Sequence, residues 1–315
     1  MMLIYKVGKV MKIYILGAGA IGSLFGGLLA ESGEDVLLIG RKEHIDAVNK
    51  RGLIIKGIIN ETIKVRGTTS VPKEKPDLII LATKAYSTET ALKEASGIVK
   101  DTWVLSIQNG IGNEEKIIRF GGKAIGGITT NGAILEEPGV INWKGKGITV
   151  VGLYPSGEDP FVEKVARTFR KAGLETHVSR NIVGWIWAKT IVNSAINPIG
   201  TLLEVKNGAI EDNEYLMSIA MEVVKEGCRI ALQNGIEFEV PPMELLFQTL
   251  KETRDNYNSM LQDIRKGKMT EIDYINGKIV EYGKAVNLEA PMNSLLWALI
   301  KAKEEMSKNV REQGG

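Results

Sequence analysis

Short apolar runs alternate with segments of helical periodicity through the first half of the chain. Runs that are apolar throughout are typical of parallel strands covered on both faces. We predict such strands over 12–16, 36–39, 78–82, 103–107 and 124–129. Helices are predicted over 21–32 and 161–172. Strands and helices in alternation indicate an α/β fold with a Rossmann-type, doubly wound parallel sheet.

Two later apolar runs, 140–143 and 148–153, stand on either side of a glycine-containing segment. That spacing predicts a hairpin that extends the sheet. After about residue 180 the strand-like pattern nearly vanishes, and long helical periodicities follow with prolines and a glycine between them. The predicted helices cover 182–197, 209–234, 242–254, 271–286 and 291–307, the first of them ending before Pro198.

This change of pattern divides the chain into an α/β domain over 1–180 and an all-α domain over 181–315. Residues 1–10 are predicted to be an extension ahead of the first strand. Because Met11 directly precedes that strand, the sequence leaves open whether translation starts at Met1 or at Met11.

Composition narrows the classes of partner. The 315 residues carry 40 Lys and Arg against 38 Asp and Glu, a net charge of +2 without a dense basic run, which argues against a nucleic-acid partner. No apolar stretch reaches the roughly 20 residues that a membrane span needs. The single cysteine, Cys228, excludes an intramolecular disulfide and indicates a reducing compartment such as the cytoplasm. One cysteine and two histidines also argue against a metal site.

A glycine-rich turn follows the first predicted strand and opens the first predicted helix. It consists of Gly17, Ala18, Gly19, Ala20, Ile21 and Gly22, a GxGxxG pattern. In this position Gly17 would allow the tight turn, Gly19 the approach of a pyrophosphate, and Gly22 the close packing of helix on strand. The helix N-terminus would then face the phosphates. The 1–180 domain is therefore predicted to bind a dinucleotide; the alternative is a glycine-rich turn without a ligand.

The end of the second strand predicts which dinucleotide binds. An acid there binds the ribose 2′-hydroxyl of NAD, whereas an arginine accommodates the 2′-phosphate of NADP. Here Gly40 stands where the acid would be and Arg41 follows it, while Asp35 lies at the wrong end of the strand. NADP(H) is the favoured cofactor, with NAD as the other candidate. Arg41 and Lys42 could instead be a solvated pair.

A polar stripe interrupts the apolar helix predicted after residue 181. Lys189, Asn193 and Asn197 are spaced i, i+4 and i+8, so they share one helix face. A lysine among apolar neighbours is costly to bury unless its charge is used, and burial lowers its pKa toward the range useful for proton transfer. Two amides along the same stripe could bind hydroxyl or carboxylate oxygens. The plainer interpretation is a polar stripe facing water.

A second polar cluster lies between residues 256 and 277. Thr270 is predicted to cap a helix, with Asp273 three residues on and Glu271 in the first turn. By spacing alone Glu271 is a favourable N-terminal acid. In the first domain, Lys84 lies just past the carboxyl end of a strand, where such sheets bind ligands, although a surface lysine would fit the same position.

Together these segments resemble the ketopantoate reductase family. The resemblance rests on the glycine-rich turn, ThrLys at 83–84, GlnAsnGly at 108–110, the Lys189 helix, and SerMetLeuGlnAsp at 259–263 leading to ThrGluIleAspTyrIleAsnGly at 270–277. It implies reduction of 2-dehydropantoate to (R)-pantoate with NADPH, on the way to pantothenate and coenzyme A, and it agrees with the two-domain fold.

The resemblance also implies roles for individual residues. Lys189 would be the general acid, and Glu271 a catalytic group at the junction of cofactor and substrate. The implied cofactor contacts, besides the glycine-rich turn and Arg41, are Lys84, Asn109, Ala133 and Glu271. The implied substrate contacts are Asn109, Lys189, Asn193, Asn197, Asn207, Asn256 and Ser259. Ala133 is carried over on the loosest match, ThrThrAsnGlyAla at 129–133.

Two other functions share some of these features. A related β-hydroxyacid or polyol-phosphate dehydrogenase would have the same two-domain plan and also use a lysine and an asparagine on a helix. A protein that senses NADP without turnover would need no ordered Lys/Asn stripe. The long C-terminal helices could bury a homodimer face, and a monomer is also compatible with the sequence.

Overall fold

The computed structural model describes the backbone of residues 10–313 and the side chains of residues 10–307. The predicted extension over 1–10, and with it the question of the start codon, lies outside the described residues apart from Val10. Twelve strands are described. They are β1 Lys12–Leu16, β2 Asp35–Ile39, β3 Leu53–Gly57, β4 Glu61–Ile63, β5 Arg66–Thr68, β6 Leu78–Leu81, β7 Trp103–Ser106, β8 Lys123–Thr129, β9 Gly132–Glu137, β10 Val140–Gly145, β11 Thr149–Leu153 and β12 Thr176–Val178.

The main sheet has eight strands in the order β12-β11-β8-β7-β6-β1-β2-β5. Six neighbouring strands are parallel to one another, namely β5, β2, β1, β6, β7 and β8. Strand β11 is antiparallel to β8, and β12 is parallel to β11. Strand β6 is buried at every position, as the uninterrupted apolar run predicts. The predicted α/β fold with a Rossmann-type doubly wound sheet is therefore confirmed, and the chain reverses direction across the sheet between β1 and β6.

A second sheet, in the order β4-β3-β10-β9, contradicts the predicted hairpin. Residues 140–143 pair with β9 and β3 in this smaller sheet, whereas β11 pairs with β8 in the main sheet. Both runs are apolar because both are buried, and an apolar pattern records burial without recording the partner strand. The hairpin that does form joins β9 to β10 through Gly139, whose φ is +79°.

Thirteen α-helices are described, with short 3-10 turns at Ala85–Ser87 and Ile272–Tyr274. They are α1 Ala20–Glu31, α2 Lys42–Arg51, α3 Thr88–Glu94, α4 Ser96–Val99, α5 Asn113–Arg119, α6 Pro160–Lys171, α7 Ile182–Leu203, α8 Gly208–Glu211, α9 Glu214–Gln233, α10 Pro242–Glu252, α11 Ser259–Arg265, α12 Asn276–Ala285 and α13 Pro291–Gln313. The second half is helical, as predicted, and the proposed boundary between 180 and 181 falls between β12 and α7. Within the described range, no helix is long and apolar enough to cross a bilayer.

Helix α7 lies at the centre of the helical half and continues past its predicted end. It packs against α9, α10, α11 and α13, and it runs through Pro198 to Leu203. A proline inside a helix leaves the carbonyl four residues earlier without its donor. In this structure Asn276 fills that gap, because its Nδ2 donates to the Ser194 carbonyl at 2.9 Å. The sequence places Asn276 far from Pro198, so the compensation could not be foreseen.

Two other predicted helices are divided. The segment predicted over 209–234 forms α8 and α9, because the Asn213 side chain accepts from two amides and begins a new helix. The segment predicted over 271–286 begins as a 3-10 turn, and the α-helix starts only at Asn276. Thr270 does accept from the Ile272 amide at 3.2 Å, but Asp273 binds Trp297 and Lys301 instead of completing the predicted cap.

Candidate active site

The glycine-rich turn connects β1 to α1 at the carboxyl edge of the main sheet. Gly17 has a φ of +101°, and a Cβ there would lie 2.6 Å from the Thr83 amide nitrogen. A Cβ on Gly22 would lie 2.2 Å from the Gly17 carbonyl oxygen. These two glycines are therefore required by the packing of the turn itself.

Gly19 differs from its neighbours because a Cβ there would meet nothing within 4 Å. It is the N-cap of α1, which has no side-chain cap and no acid in its first turn. A helix N-terminus of this kind presents amide donors and the positive end of the helix dipole to an anion. The open space beside Gly19 is thus suited to the phosphates of a dinucleotide, and the residues present fit such a group.

Arg41 begins helix α2 at the carboxyl end of β2 and is exposed. The preceding Gly40 has a packing reason of its own, since a Cβ there would lie 2.8 Å from the Cβ of Ala18. No acid can occupy that position without moving the glycine-rich turn. Lys42 pairs with Asp46 one helical turn on, with 2.6 Å between the Lys42 Nζ and the Asp46 Oδ2. Both side chains are exposed, which agrees with the alternative that Lys42 is a solvated residue.

An ion-pair cluster joins the two halves of the protein at this edge. The Lys84 Nζ, just after β6, lies 2.6 Å from the Asp263 Oδ2 and 3.3 Å from the Glu271 Oε2. Burial disfavours the Lys84 ammonium, but the negative charges of Glu271 and Asp263 outweigh it and raise the pKa of Lys84. Burial also raises the pKa of the Asp263 carboxyl, against the opposing effect of Lys84.

Glu271 is the most connected side chain of the cluster. Its Oε1 accepts from the Ala85 amide at 3.1 Å, and its Oε2 accepts from the Asn109 Nδ2 at 3.2 Å. Asn109 lies in the loop after β7, and in the same loop a Cβ on Gly110 would lie 2.5 Å from the Tyr274 carbonyl oxygen. The helical half therefore docks closely on the carboxyl edge, and Glu271 is held there by groups from β6 and β7.

Lys189 projects from the middle of α7 toward the same edge. Its Nζ donates to the Thr129 carbonyl at the end of β8, at 2.7 Å. Burial lowers the pKa of the Lys189 ammonium to about 8, and the nearby Glu271 carboxylate limits the decrease. An amine with this pKa is protonated at neutral pH and can release its proton readily, which suits a general acid.

The amide side chains predicted to bind substrate fall into two groups. Asn193 is partly buried and Asn197 buried along the Lys189 face of α7. Asn207 lies beyond the end of α7, where its backbone N–H donates to the Asn256 carbonyl at 3.0 Å and its side-chain Nδ2 to the Thr253 Oγ1 at 2.8 Å. The Asn207 Oδ1 is buried with no partner among the described residues. Ser259 is the exposed first residue of α11.

Ala133 is the predicted cofactor contact that was carried over on the loosest match. It is in β9 of the smaller sheet, where it pairs with Trp143 and packs against the apolar core of the first half. It follows Thr129, the acceptor of Lys189, by one short turn between β8 and β9. Its predicted cofactor contact stays a prediction.

Known protein families, sequences and solved structures resemble this chain. A family model described as ketopantoate reductase PanE/ApbA matches residues 13–156, and the model for the C-terminal part of the same family matches residues 181–304. The chain belongs to the ketopantoate reductase family. The predicted resemblance is thereby confirmed.

Individual relatives agree with the family. The chain is 73% identical to the 2-dehydropantoate 2-reductase of Pyrococcus abyssi over 94% of its own length and 99% of the relative's. A crystal structure of a PanE/ApbA family ketopantoate reductase from Ralstonia eutropha is similar with a TM-score of 0.87 at 27% identity, covering 95% of this chain and 100% of that one. The ternary structure of D-mandelate dehydrogenase with NADH and anilino(oxo)acetate has a TM-score of 0.89 at 34% identity, over 95% and 99% of the two chains.

Two groups at this site were not predicted from the sequence. Asp263 stands in the segment that carried the resemblance, yet it received no role because its partner Lys84 is 179 residues away. The Thr129 carbonyl that holds Lys189 is a backbone group without a sequence signal. The hint available in the sequence was an acid beside the apolar residues Leu261 and Ile264, since an acid that becomes buried needs a charged partner.

Proposed function

We propose that this protein is a 2-dehydropantoate 2-reductase, which converts the C2 ketone of 2-dehydropantoate into the hydroxyl of (R)-pantoate in pantothenate and coenzyme A synthesis. The observation that carries the proposal is the partly buried Lys189 on α7, whose amine donates to the Thr129 carbonyl at the edge that holds the glycine-rich turn. Family membership and the 73% identity to the Pyrococcus abyssi enzyme support the same reaction.

The proposed cofactor is a nicotinamide dinucleotide, which when bound supplies the hydride for C2. Residues Gly17 through Gly22 and the N-terminus of α1 would hold its pyrophosphate. NADPH is preferred in this proposal because Gly40 leaves no acid for the ribose 2′-hydroxyl and Arg41 offers a cation to the 2′-phosphate. NADH is the alternative, and the similarity to D-mandelate dehydrogenase, whose solved complex contains NADH, keeps it in the test.

Lys189 would donate the proton to the C2 oxygen as negative charge develops there. Its ammonium supplies charge and proton from a site with little water, where the stabilisation of an alkoxide is largest. The Glu271 carboxylate opposes the effect of burial on the Lys189 pKa, and its hydrogen bonds to Lys84 and Asn109 hold Glu271 on the cofactor side of the edge. Lys84, Asn109, Ala133 and Glu271 are the proposed contacts near the nicotinamide end.

The amide groups would orient the substrate. Asn193 and Asn197 lie one and two turns beyond Lys189, so a keto acid bound along the stripe would present its C2 oxygen to the amine and its polar groups to the amides. Asn207, Asn256 and Ser259 are proposed to bind the far end of the substrate. The buried, unpartnered Oδ1 of Asn207 supports this role, because such an atom is costly unless a ligand donates to it.

The deciding experiment follows the loss of NADPH absorbance with purified protein and 2-dehydropantoate, and repeats it with NADH. Rapid oxidation that requires the keto acid is expected, with the higher kcat/KM for NADPH. A panel of other 2-keto acids with NADPH, and of 3-hydroxy acids with NADP+ and a gain of absorbance, tests the second candidate, a related hydroxyacid dehydrogenase, which the 34% identity to D-mandelate dehydrogenase favours. Cofactor binding without turnover of any keto acid would instead indicate an NADP sensor.

The proposal extends to the state of the protein in the cell. We place it in the cytoplasm, without a nucleic-acid or membrane partner. A homodimer is proposed because α13 carries an exposed apolar stripe of Leu295, Leu299 and Met306, spaced i, i+4 and i+11. Light scattering of the wild type and of Leu299→Glu distinguishes a dimer through this face from a monomer.

A further inference from the structure

A basic loop of Lys266, Gly267 and Lys268, preceded by Arg265 at the end of α11, leads from α11 toward the 3-10 turn before α12. The loop folds back tightly, since Gly267 has a φ of +63° and the Lys268 amide donates to the Asp263 carbonyl at 2.9 Å. It also reaches the sheet half of the protein, because the Lys266 Nζ lies 3.5 Å from the Leu135 carbonyl oxygen in β9. The helical half therefore extends a basic segment over the first half.

The position of this loop follows from its neighbours. Asp263, to which the Lys268 backbone is bound, holds Lys84 just after β6. The positive charge of Arg41, which follows β2, also lowers the pKa of Lys268. In the main sheet β1 lies between β6 and β2, and the glycine-rich turn follows β1. The loop is bound to Asp263, which holds Lys84 after β6, so it lies at the carboxyl edge beside the glycine-rich turn that follows β1.

The charges of Lys84 and Arg41 also affect Tyr86. Burial raises the pKa of its phenol, while the positive charges of both Lys84 and Arg41 oppose the increase. The charges of Lys84 and Arg41 therefore both act on Tyr86, which lies in the 3-10 turn after β6. Lys268 joins them from the helical half.

Several positive charges act on Lys268 in this arrangement. Burial lowers the pKa of Lys268, and Arg41, Lys266 and Lys84 lower it further, while Asp263 opposes them. Asp263 is already bonded to Lys84, so its charge is largely used. Neighbouring cations repel one another, and a bound anion reduces that repulsion. The edge they face is the one where the N-terminus of α1 offers amide donors.

We propose that Lys268 binds a phosphate group of the dinucleotide from the side opposite to α1, so that the helical half takes part in holding the cofactor. The proposal rests on the proposed function only in requiring a phosphorylated dinucleotide as ligand. Two phosphates satisfy the same chemistry, the pyrophosphate and the 2′-phosphate. The cofactor would then link the loop of one half to the glycine-rich turn of the other.

The test measures binding in the absence of any keto acid. Isothermal titration calorimetry gives the Kd of NADPH, NADH and 2′,5′-ADP for the wild type, for Lys268→Gln and for Lys268→Arg. Lys251→Gln removes an exposed lysine from the last turn of α10 and controls for net charge. A charge-assisted hydrogen bond to phosphate is lost in Lys268→Gln, so the affected Kd rises about 10-fold to 100-fold. Lys268→Arg restores most of the affinity, and Lys251→Gln changes no Kd.

The pattern across ligands identifies the phosphate. A higher Kd for NADPH and 2′,5′-ADP alone assigns Lys268 to the 2′-phosphate, and an equal increase for NADPH and NADH assigns it to the pyrophosphate. Unchanged Kd values in Lys268→Gln overturn the proposal while leaving the proposed function intact. A wild type that binds none of the three ligands overturns the proposed function itself.

Discussion

The alkaline limb of the pH–rate profile is the most direct measure of what Lys189 does. Lysine donates a proton only as the ammonium, and burial lowers the pKa of this group to about 8 from its ordinary 10.5. For ketone reduction, kcat/KM for the keto acid should be constant below about pH 8 and fall about tenfold per pH unit above it. At about pH 9 roughly one molecule in eleven keeps the proton, whereas an ordinary lysine would keep it in more than nine of ten.

The assay uses saturating cofactor, so that the titration of cofactor-binding lysines does not enter kcat/KM for the keto acid. Lys189→Ala should lower kcat by roughly 10²–10⁴ at neutral pH and abolish the limb. Lys189→Arg keeps the charge but does not release its proton in this range, so its low activity should be flat with pH. A limb near pH 10.5 would refute the lowered pKa of Lys189, and a limb that survives in Lys189→Ala would refute the general-acid assignment.

The contribution of Glu271 can be separated in the same experiment. Its carboxylate is the charge that raises the Lys189 pKa against burial, so Glu271→Gln should move the limb to lower pH as well as reduce kcat. Asp273→Asn is the matched control, because that carboxylate lies two residues on but binds Trp297 and Lys301. A limb that stays in place in Glu271→Gln would show that the two charges are not coupled.

Three further outcomes are expected. Gly19→Ala should fold normally but bind the dinucleotide at least tenfold more weakly, because its Cβ enters open space that the phosphates would occupy. Gly22→Ala should instead lower the Tm, because its Cβ clashes with the backbone. Equal losses of Tm in the two variants would contradict this. Burial lowers the pKa of His44, so the unfolded state binds the proton first and the free energy of unfolding should fall as pH drops below about 6.5, a dependence that a non-titrating His44→Gln variant should lose. Glu226→Ala removes a buried carboxylate that accepts from the Asn293 backbone amide at the start of α13. It should lower the free energy of unfolding, measured with denaturant, by about 2–4 kcal/mol. A decrease below about 0.5 kcal/mol, typical of exposed positions, would contradict the capping role.

The local patterns in the sequence determined a large part of this structure. Uninterrupted apolar runs predicted the parallel strands, and the GxGxxG segment predicted a strand-to-helix turn because Gly17 needs a positive φ and Gly22 has no room for a side chain. The spacing of Lys189, Asn193 and Asn197 placed them on one helix face. These features depend on a few neighbouring residues, which is why the sequence alone reveals them.

Only the tertiary structure decided which distant groups meet. It assigned residues 140–143 to the smaller sheet, carried α7 through Pro198 with the help of Asn276, and paired Lys84 with Asp263. It also brought Lys189 to a backbone carbonyl and to the field of Glu271, which together with burial determine its pKa. Partner choice and desolvation arise from contacts between residues far apart in the chain, and no local pattern records them.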